Sequence, residues 1–341
     1  MNKFLISMGL SVCLAVSAVF AATPSVPATQ AAAVSAVSAD PVTDNIAKLK
    51  DKDESIRRSA AEQLGSLRNP AAMPALRDAL NDKSASVRAT AAESLGFLRA
   101  QPATADLSRI LNSDPDDNVR QSAAVALNYI GDPASIPALI TALKDKSDGA
   151  RFAAANALGS MRASAAVPAL ADGLKDPNTG MKRSSLDALG RIGDKSALPA
   201  IRNEMNDTDV DTQAQAVQIC GNLRDKDSEA AFKGLLSSKE PKIRISAAGA
   251  LAKIGSKDGL SVALKSITEK DSYVRMQAAE ALGNIEGPDA ISALQAASQD
   301  PDGGVKQTAH SALQKLNALA QPVKPAPMKV NKTKKKAAVA Q

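Results

Sequence analysis

The sequence predicts an all-α fold: an α-solenoid, or superhelix, of about nine two-helix repeats with a 31-residue period. Three observations predict it. First, the stretch from Val87 to Leu98 recurs, opening at Ile56, Val87, Val119, Ala150, Met181, Thr212, Ile243, Val274 and Val305. The spacing is 31 residues throughout, except for 32 between Val87 and Val119, and so regular a period marks a repeat architecture. Second, with the opening residue as position 0, positions 0, 4, 7, 8 and 11 are apolar, as in Val274, Ala278, Ala281, Leu282 and Ile285. That is one face of a 3.6-residue helix, not the alternation of a strand. Third, a shorter helical segment precedes each of these stretches, as from Pro70 to Leu80 and from Pro133 to Leu143.

Within a unit, the short segment comes first. It often opens on proline, which a helix start tolerates because the missing N–H has no partner there. A turn rich in Asp, Asn, Pro and Ser follows. An acid stands five positions before the opening residue in eight of nine units, at Asp51, Asp82, Asp114, Asp145, Asp176, Asp207, Glu269 and Asp300, with Ser238 the exception. There it is expected to cap the coming helix and offset its positive end. Each unit is then helix A, acidic turn, helix B and a short link. Neither helix alone can bury its apolar face, so stacked units are expected to build one continuous core.

The unit Asp-x5-Arg-x2-Ala-Ala-x-Ala-Leu-Gly-x-Ile, followed by Ala-x-Pro-Ala-Leu, resembles a HEAT-like repeat of the phycobilisome-lyase type. The likeness runs from about Thr43 to Leu319. It implies a helical solenoid and says little about activity. That repeat serves lyase subunits, a di-iron hydroxylase, DNA-repair proteins and plain scaffolds, and a fold does not determine a function.

Outside the repeats the chain changes character. Residues 1–21 read as an export signal, with Lys3 ahead of an apolar run from Phe4 to Val19 and small residues before the end of Val19-Phe20-Ala21. The run is short for a membrane span, and Val12 is too large for a lipoprotein signal at Cys13. An exported protein is expected, in a bacterial periplasm. Residues 22–42 form a low-complexity Ala/Pro/Ser linker, and the solenoid occupies 43–320. Residues 321–341 read as a disordered basic tail, with Lys332, Lys334, Lys335 and Lys336 after three prolines.

Charge divides along the same lines. The chain totals +6, but without the signal, linker and tail the repeats hold 35 basic and 35 acidic residues. A neutral body weighs against nucleic acid, which calls for a basic stripe on the folded surface. The tail alone could still hold an anionic envelope polymer. Cys220 is alone once Cys13 leaves with the signal, and it stands where other units carry Leu64, Leu95 and Leu282, a core position. Glycine recurs at position 9, as Gly65, Gly96, Gly159, Gly190, Gly221 and Gly283. Mid-helix it would cost about 1 kcal/mol against Ala, so it suggests a close helix crossing.

A basic residue follows most opening residues: Arg57, Arg88, Arg120, Arg151, Lys182, Arg244, Arg275 and Lys306, with Gln213 the exception. An anion-binding ladder is one reading. The stronger one pairs Arg88, Arg120 and Arg151 with turn acids such as Asp82, Asp114 and Asp145, because guanidinium forks onto carboxylates.

Catalysis finds little in the residues. His310 is the one histidine, so a histidine-rich metal site is impossible, and the His-Glu pairs of the repeat-family hydroxylases are missing. No nucleophile motif or phosphate loop stands out, and no cofactor or metal is expected. Positions 2, 6 and 10 of helix B form a stripe that lines the concave face in the family this chain resembles. Most units place polar groups there, among them Arg183, Asp187 and Arg191, whereas units two to four place Phe97, Val125, Tyr129 and Phe152. Those three aromatics are either anchors for a partner or are buried between helices. The expectation is a non-enzymatic exported scaffold binding a protein or peptide on that face. A bilin-lyase-like subunit or an oxidoreductase relative is one alternative, and a tail-driven binder of anionic polymer or nucleic acid the other.

Overall fold

The computed structural model describes residues 40–320, which form eighteen α-helices, six short 3₁₀ turns and no strand. The expected signal, nearly all of the linker and the lysine tail lie outside the described residues. The helices alternate short and long in the predicted order. Units one to three contain α1 (Pro41–Lys48) and α2 (Glu54–Leu67), α3 (Met73–Ala79) and α4 (Ala85–Phe97), and α5 (Thr104–Ser113) and α6 (Asp117–Ile130). Units four to six contain α7 (Ile136–Ala142) and α8 (Asp148–Ser160), α9 (Val167–Gly173) and α10 (Thr179–Ile192), and α11 (Leu198–Glu204) and α12 (Val210–Asn222). Units seven to nine contain α13 (Glu229–Leu235) and α14 (Pro241–Lys253), α15 (Leu260–Ser266) and α16 (Ser272–Leu282), and α17 (Pro288–Ala297) and α18 (Gly303–Ala320). The first helix starts at Pro41, two residues before the expected solenoid boundary, and Val42 is already buried in the core.

Each long helix packs on the long helix of the next unit. The glycines explain how. A Cβ on Gly96 would lie 2.8 Å from Ala126 Cα, on Gly159 2.8 Å from Ala188 Cα, and on Gly221 2.7 Å from Ala250 Cα. Position 9 of one unit therefore presses on position 7 of the next, and only a hydrogen fits between the backbones. These glycines sit in the last helical turn or at the cap rather than mid-helix, so the propensity cost is smaller than the sequence suggests. At α10 and α12 the small residue is replaced: Gly190 meets the side chain of Ile219, and the two helices pack less extensively.

The expected single core is two clusters. One runs from Val42 to Leu251 and the other from Ile245 to Leu316. They divide on α14, which gives Ala247, Ala250 and Leu251 to the first and Ile245 and Ala248 to the second. Small residues fill that helix, so its two faces reach separate sets of apolar side chains. Cys220 is buried in the first cluster, and burial pushes its thiol up to about 12, an inert core group.

The acids five positions before each opening residue do not cap the helices. The caps lie two residues later: Asp53, Asp116, Asn178 and Asp271 accept from the N–H groups of Ser55, Asn118, Gly180 and Tyr273. The turn acids accept the fork of the preceding unit instead. Arg57 Nε and Nη2 donate to Asp82 at 2.6 and 2.8 Å, Arg88 to Asp114 at 2.7 and 2.7 Å, and Arg120 to Asp145 at 2.7 and 2.8 Å. The remaining nitrogen of each fork bonds a carbonyl of its own turn, as Arg88 Nη1 to Asp82 O at 2.9 Å. The series is thus a set of staples between neighbouring units, with Arg57, Arg88, Arg120 and Arg275 each forked onto the acid of the next unit. Arg151 and Arg244 are the loose members: Arg151 bonds Asp148 and stands 3.9 Å from Asp176, and Arg244 stands 3.9 Å from Glu269. Between units six and seven both partners of the staple change together, to Gln213 and Ser238. Neither charge is left alone, and Gln213 donates to Met205 O at 2.6 Å. Arg202, forked onto the buried Asp225, ties that junction from the short helices.

These staples set the response to acid. The Arg57 fork holds the Asp82 carboxyl below the usual range. Burial alone would raise Asp114 and Asp145, but the forks of Arg88 and Arg120 outweigh it and keep both low. A depressed folded value contributes stability that is complete above the unfolded carboxylate value of about 3.9 and is lost as pH falls through the folded one. The melting temperature should hold from about pH 8 to pH 5 and fall steeply below about pH 4. Asp114→Asn should lower the plateau and soften the acid limb. A melting temperature unchanged down to about pH 3 would contradict this assignment.

Candidate functional site

The stripe at positions 2, 6 and 10 is not uniformly open. Ala214 and Ile245 are each 1% exposed and belong to the interior. The opening lies in units two to five. Phe97 and Tyr129 stand at position 10 of α4 and α6 with 48% and 46% of their surface exposed. Their ring centroids are 5.6 Å apart at an interplanar angle of 52°, the tilted arrangement that aromatic pairs favour. They border a cavity of about 310 Å³ lined also by Glu93, Asn118, Gln121, Ser122 and Val125.

A second cavity of about 420 Å³ adjoins the first through Gln121 and Val125, which line both. Phe152, Asn156, Ser184, Asp187 and Arg191 complete it. Two glycines shape it, Gly149 in its lining and Gly180 against the ring of Phe152. A Cβ on Gly149 would lie 2.3 Å from Gln121 Oε1, and one on Gly180 would lie 3.1 Å from Phe152 Cζ. Both stand just before the opening residue of their unit, in the first turn of α8 and α10. Their missing side chains let Gln121 and Phe152 lie down on the next helix. Phe152 is accordingly half-buried, unlike the other two aromatics.

Glu93, Asn156, Arg183, Asp187 and Arg191 are partnered within the chain, whereas Gln121 makes no side-chain hydrogen bond among the described residues. Arg191 donates to Asp187 at 2.6 Å, to Asn156 Oδ1 at 2.7 Å and to Ser160 Oγ at 3.0 Å. Arg183 donates to Asp211 at 3.2 Å, and Ser122 Oγ to Glu93 at 2.8 Å. The groove therefore offers fixed polar walls, one exposed aromatic pair and one half-buried ring. Such a surface can hold an extended chain by hydrogen bonds while seating an apolar side chain. Among the described residues no group of His, Cys, Asp and Glu is placed to hold a metal, and His310 is exposed on α18.

Of the residues expected from sequence, the structure unites Phe97, Val125, Tyr129, Phe152, Asp187 and Arg191 in one groove and leaves Arg183 beside it. Sequence reasoning missed Gln121, Asn156 and Glu93, which belong to the same positions 2 and 6, and the two glycines. A partial signal was available: glycine stands at position −1 as Gly149, Gly180 and Gly304, where the other units carry Ser55, Ser86, Asn118, Asp211, Lys242 and Tyr273.

The sequence profile of HEAT repeats matches residues 42–128, 107–189, 136–203, 198–272 and 228–314. No curated protein matches the chain. Solved structures of similar fold include an engineered protein, 22% identical over 81% of this chain and 89% of that one, TM-score 0.48. Another is the CpcE–CpcF complex of phycocyanin lyase from Nostoc, 23% identical over 86% of this chain and all of that one, TM-score 0.35. A third is YibA of Escherichia coli, 21% identical over 81% of this chain and 92% of that one, TM-score 0.47.

Proposed function

The chain belongs to the HEAT-repeat family, and from that premise we propose that it is an exported, non-enzymatic scaffold holding a protein or peptide partner in the groove across units two to five. The observation that carries this reading is the exposed Phe97–Tyr129 pair beside two adjoining cavities. Exposed aromatics of this size are what interfaces use as anchors. Export is supported by the composition of residues 1–21 alone.

Phe97→Ala and Tyr129→Ala should each leave stability within about 0.5 kcal/mol, as exposed substitutions do. Each should weaken partner capture by about 2 kcal/mol or more. Phe152→Ala should cost stability as well, since its ring packs on Gly180. The measurement is a denaturation midpoint beside a crosslinking pull-down from the cell envelope, with wild type as control. Unchanged capture in both exposed variants would remove the groove from consideration. N-terminal sequencing of the protein from a periplasmic fraction tests export, and an intact Met1 there would contradict cleavage.

A further inference from the structure

In units one to seven helix B ends on a residue at position 12 with left-handed backbone where the chain turns into the link. In units three, five and seven this residue is Gly131, Gly193 or Gly255, with φ of 70°, 74° and 90°. In units one, two, four and six it is Arg68, Arg99, Arg162 or Arg224, with φ between 49° and 54°. Besides glycine, only Asn and Asp enter this region readily. Yet all four non-glycine residues with positive φ among the described residues are arginines. Glycine is demonstrably tolerated at this place in the repeat, so the arginines stand there against local backbone preference.

Their side chains have no partner that would explain them. All four are exposed, and none makes an ion pair or side-chain hydrogen bond among the described residues. In particular, none donates to the last carbonyls of its helix, which are met by backbone bonds such as Ala100 N–H to Leu95 O and Ala163 N–H to Leu158 O, both 3.0 Å. Every arginine of the other series, at position 1, bonds its own turn, and most also fork onto the acid of the next unit. None of the four lines the groove of units two to five; Arg224 lies instead at a separate cavity of about 500 Å³ with Lys226 and Lys253.

We propose that the link edge of the stack, marked by Arg68, Arg99, Arg162 and Arg224, is a second binding surface that takes an extended acidic peptide segment. The guanidinium fork matches a carboxylate bidentately. The spacing of charge along this edge selects the class of partner. Between the arginine units stand Asp132 and Asp194, committed as caps to the N–H groups of Ala134 and Ser196. An anion with a charge at every step, such as nucleic acid, would meet these carboxylates as well as the arginines. A peptide can place acids opposite the arginines and neutral residues opposite the aspartates. The surface is separate from the aromatic groove and does not depend on it.

The test exploits the backbone. In Arg68→Gly, Arg99→Gly, Arg162→Gly and Arg224→Gly combined, every substitution installs the residue that the sister units already use. The variant should therefore melt at or above the wild-type temperature. A fluorescein-labelled Glu/Ser peptide should bind the full-length wild type with an affinity that falls as salt rises, and bind the variant about tenfold or more weakly, as loss of several exposed ion pairs implies. A Gln/Ser peptide should not bind. Phe97→Ala with Tyr129→Ala should bind the acidic peptide as wild type does, even if capture at the groove is lost. Equal binding by wild type and the glycine variant would overturn the proposal and point to the lysine tail. A clear loss of melting temperature would make the arginines structural caps. Binding of oligo-dT as tight as that of the acidic peptide would overturn the choice of partner, and no binding by wild type would end the proposal.

Discussion

Deleting residues 150–180 should leave a folded and shorter protein, whereas deleting residues 150–165 should leave one that does not fold. The first deletion joins Gly149 to Met181, two neighbours in the repeat pattern, so α10 takes the place of α8 behind the acidic turn of unit four. Arg120 still meets Asp145, and Lys182 still meets Asp207. Ala188 arrives where Ala157 had been, at the same position 7. Because each unit touches only its neighbours, stability should fall by one unit's share while the rest stays intact. The second deletion removes most of α8 and runs α7 directly into α9. Helix α6 then loses the next long helix, which packs on it, and two short helices stand in succession. Circular dichroism and urea denaturation of the two deletions decide the matter. Similar behaviour of both would mean that the 31-residue unit is not the folding module.

Gly96→Leu should destabilise by about 3 kcal/mol or more, at the upper end of overpacking costs. Its Cβ alone would lie 2.8 Å from Ala126 Cα, and backbone cannot turn aside as a side chain can. The long helices of units two and three would have to separate, and the separation would open the interior around Leu95 and Leu127. Gly249→Ala provides the opposite sign in the same protein. Gly249 lies inside α14 with nothing within 4 Å of its notional Cβ. There the only change is in helix propensity, and a gain of about 0.5–1 kcal/mol is expected. Chemical denaturation midpoints of the two variants measure both. If Gly96→Leu were neutral, the glycine series would not be the contact that sets the helix spacing.

Much of this architecture was legible because a repeat states its rules many times over. The period, the pairing of helices, the core positions and the identity of Cys220 as a core residue all follow from patterns that recur in every unit. The arginine series was legible in kind, since a cation beside a turn of acids has an obvious partner. Which acid it takes was not. Arg88 reaches Asp114, in the next unit, through its fork and takes only a carbonyl from its own Asp82. Spacing along the chain cannot distinguish the two, because the repeat offers an equivalent acid on either side. For the same reason Gln213 and Ser238 looked like two unrelated exceptions until the pairing between units made them one.

The groove shows the boundary more sharply. Positions 2, 6 and 10 share a helix face, and any helical wheel finds Phe97, Tyr129 and Phe152 on it. Whether that face is open depends on how closely the next helix approaches, which differs from unit to unit. Phe152 is half-buried because Gly180 lets it lie down, Ile245 is buried in the second apolar cluster, and Phe97 and Tyr129 remain exposed. Local pattern by itself determined the helices, their order and the sides they bury, because periodicity acts within a few turns of chain. The tertiary structure alone decided which staple partner each arginine takes, where the core divides and which aromatics meet solvent. Those outcomes depend on the distance between helices of neighbouring units, and that distance is set by residues about 31 positions apart.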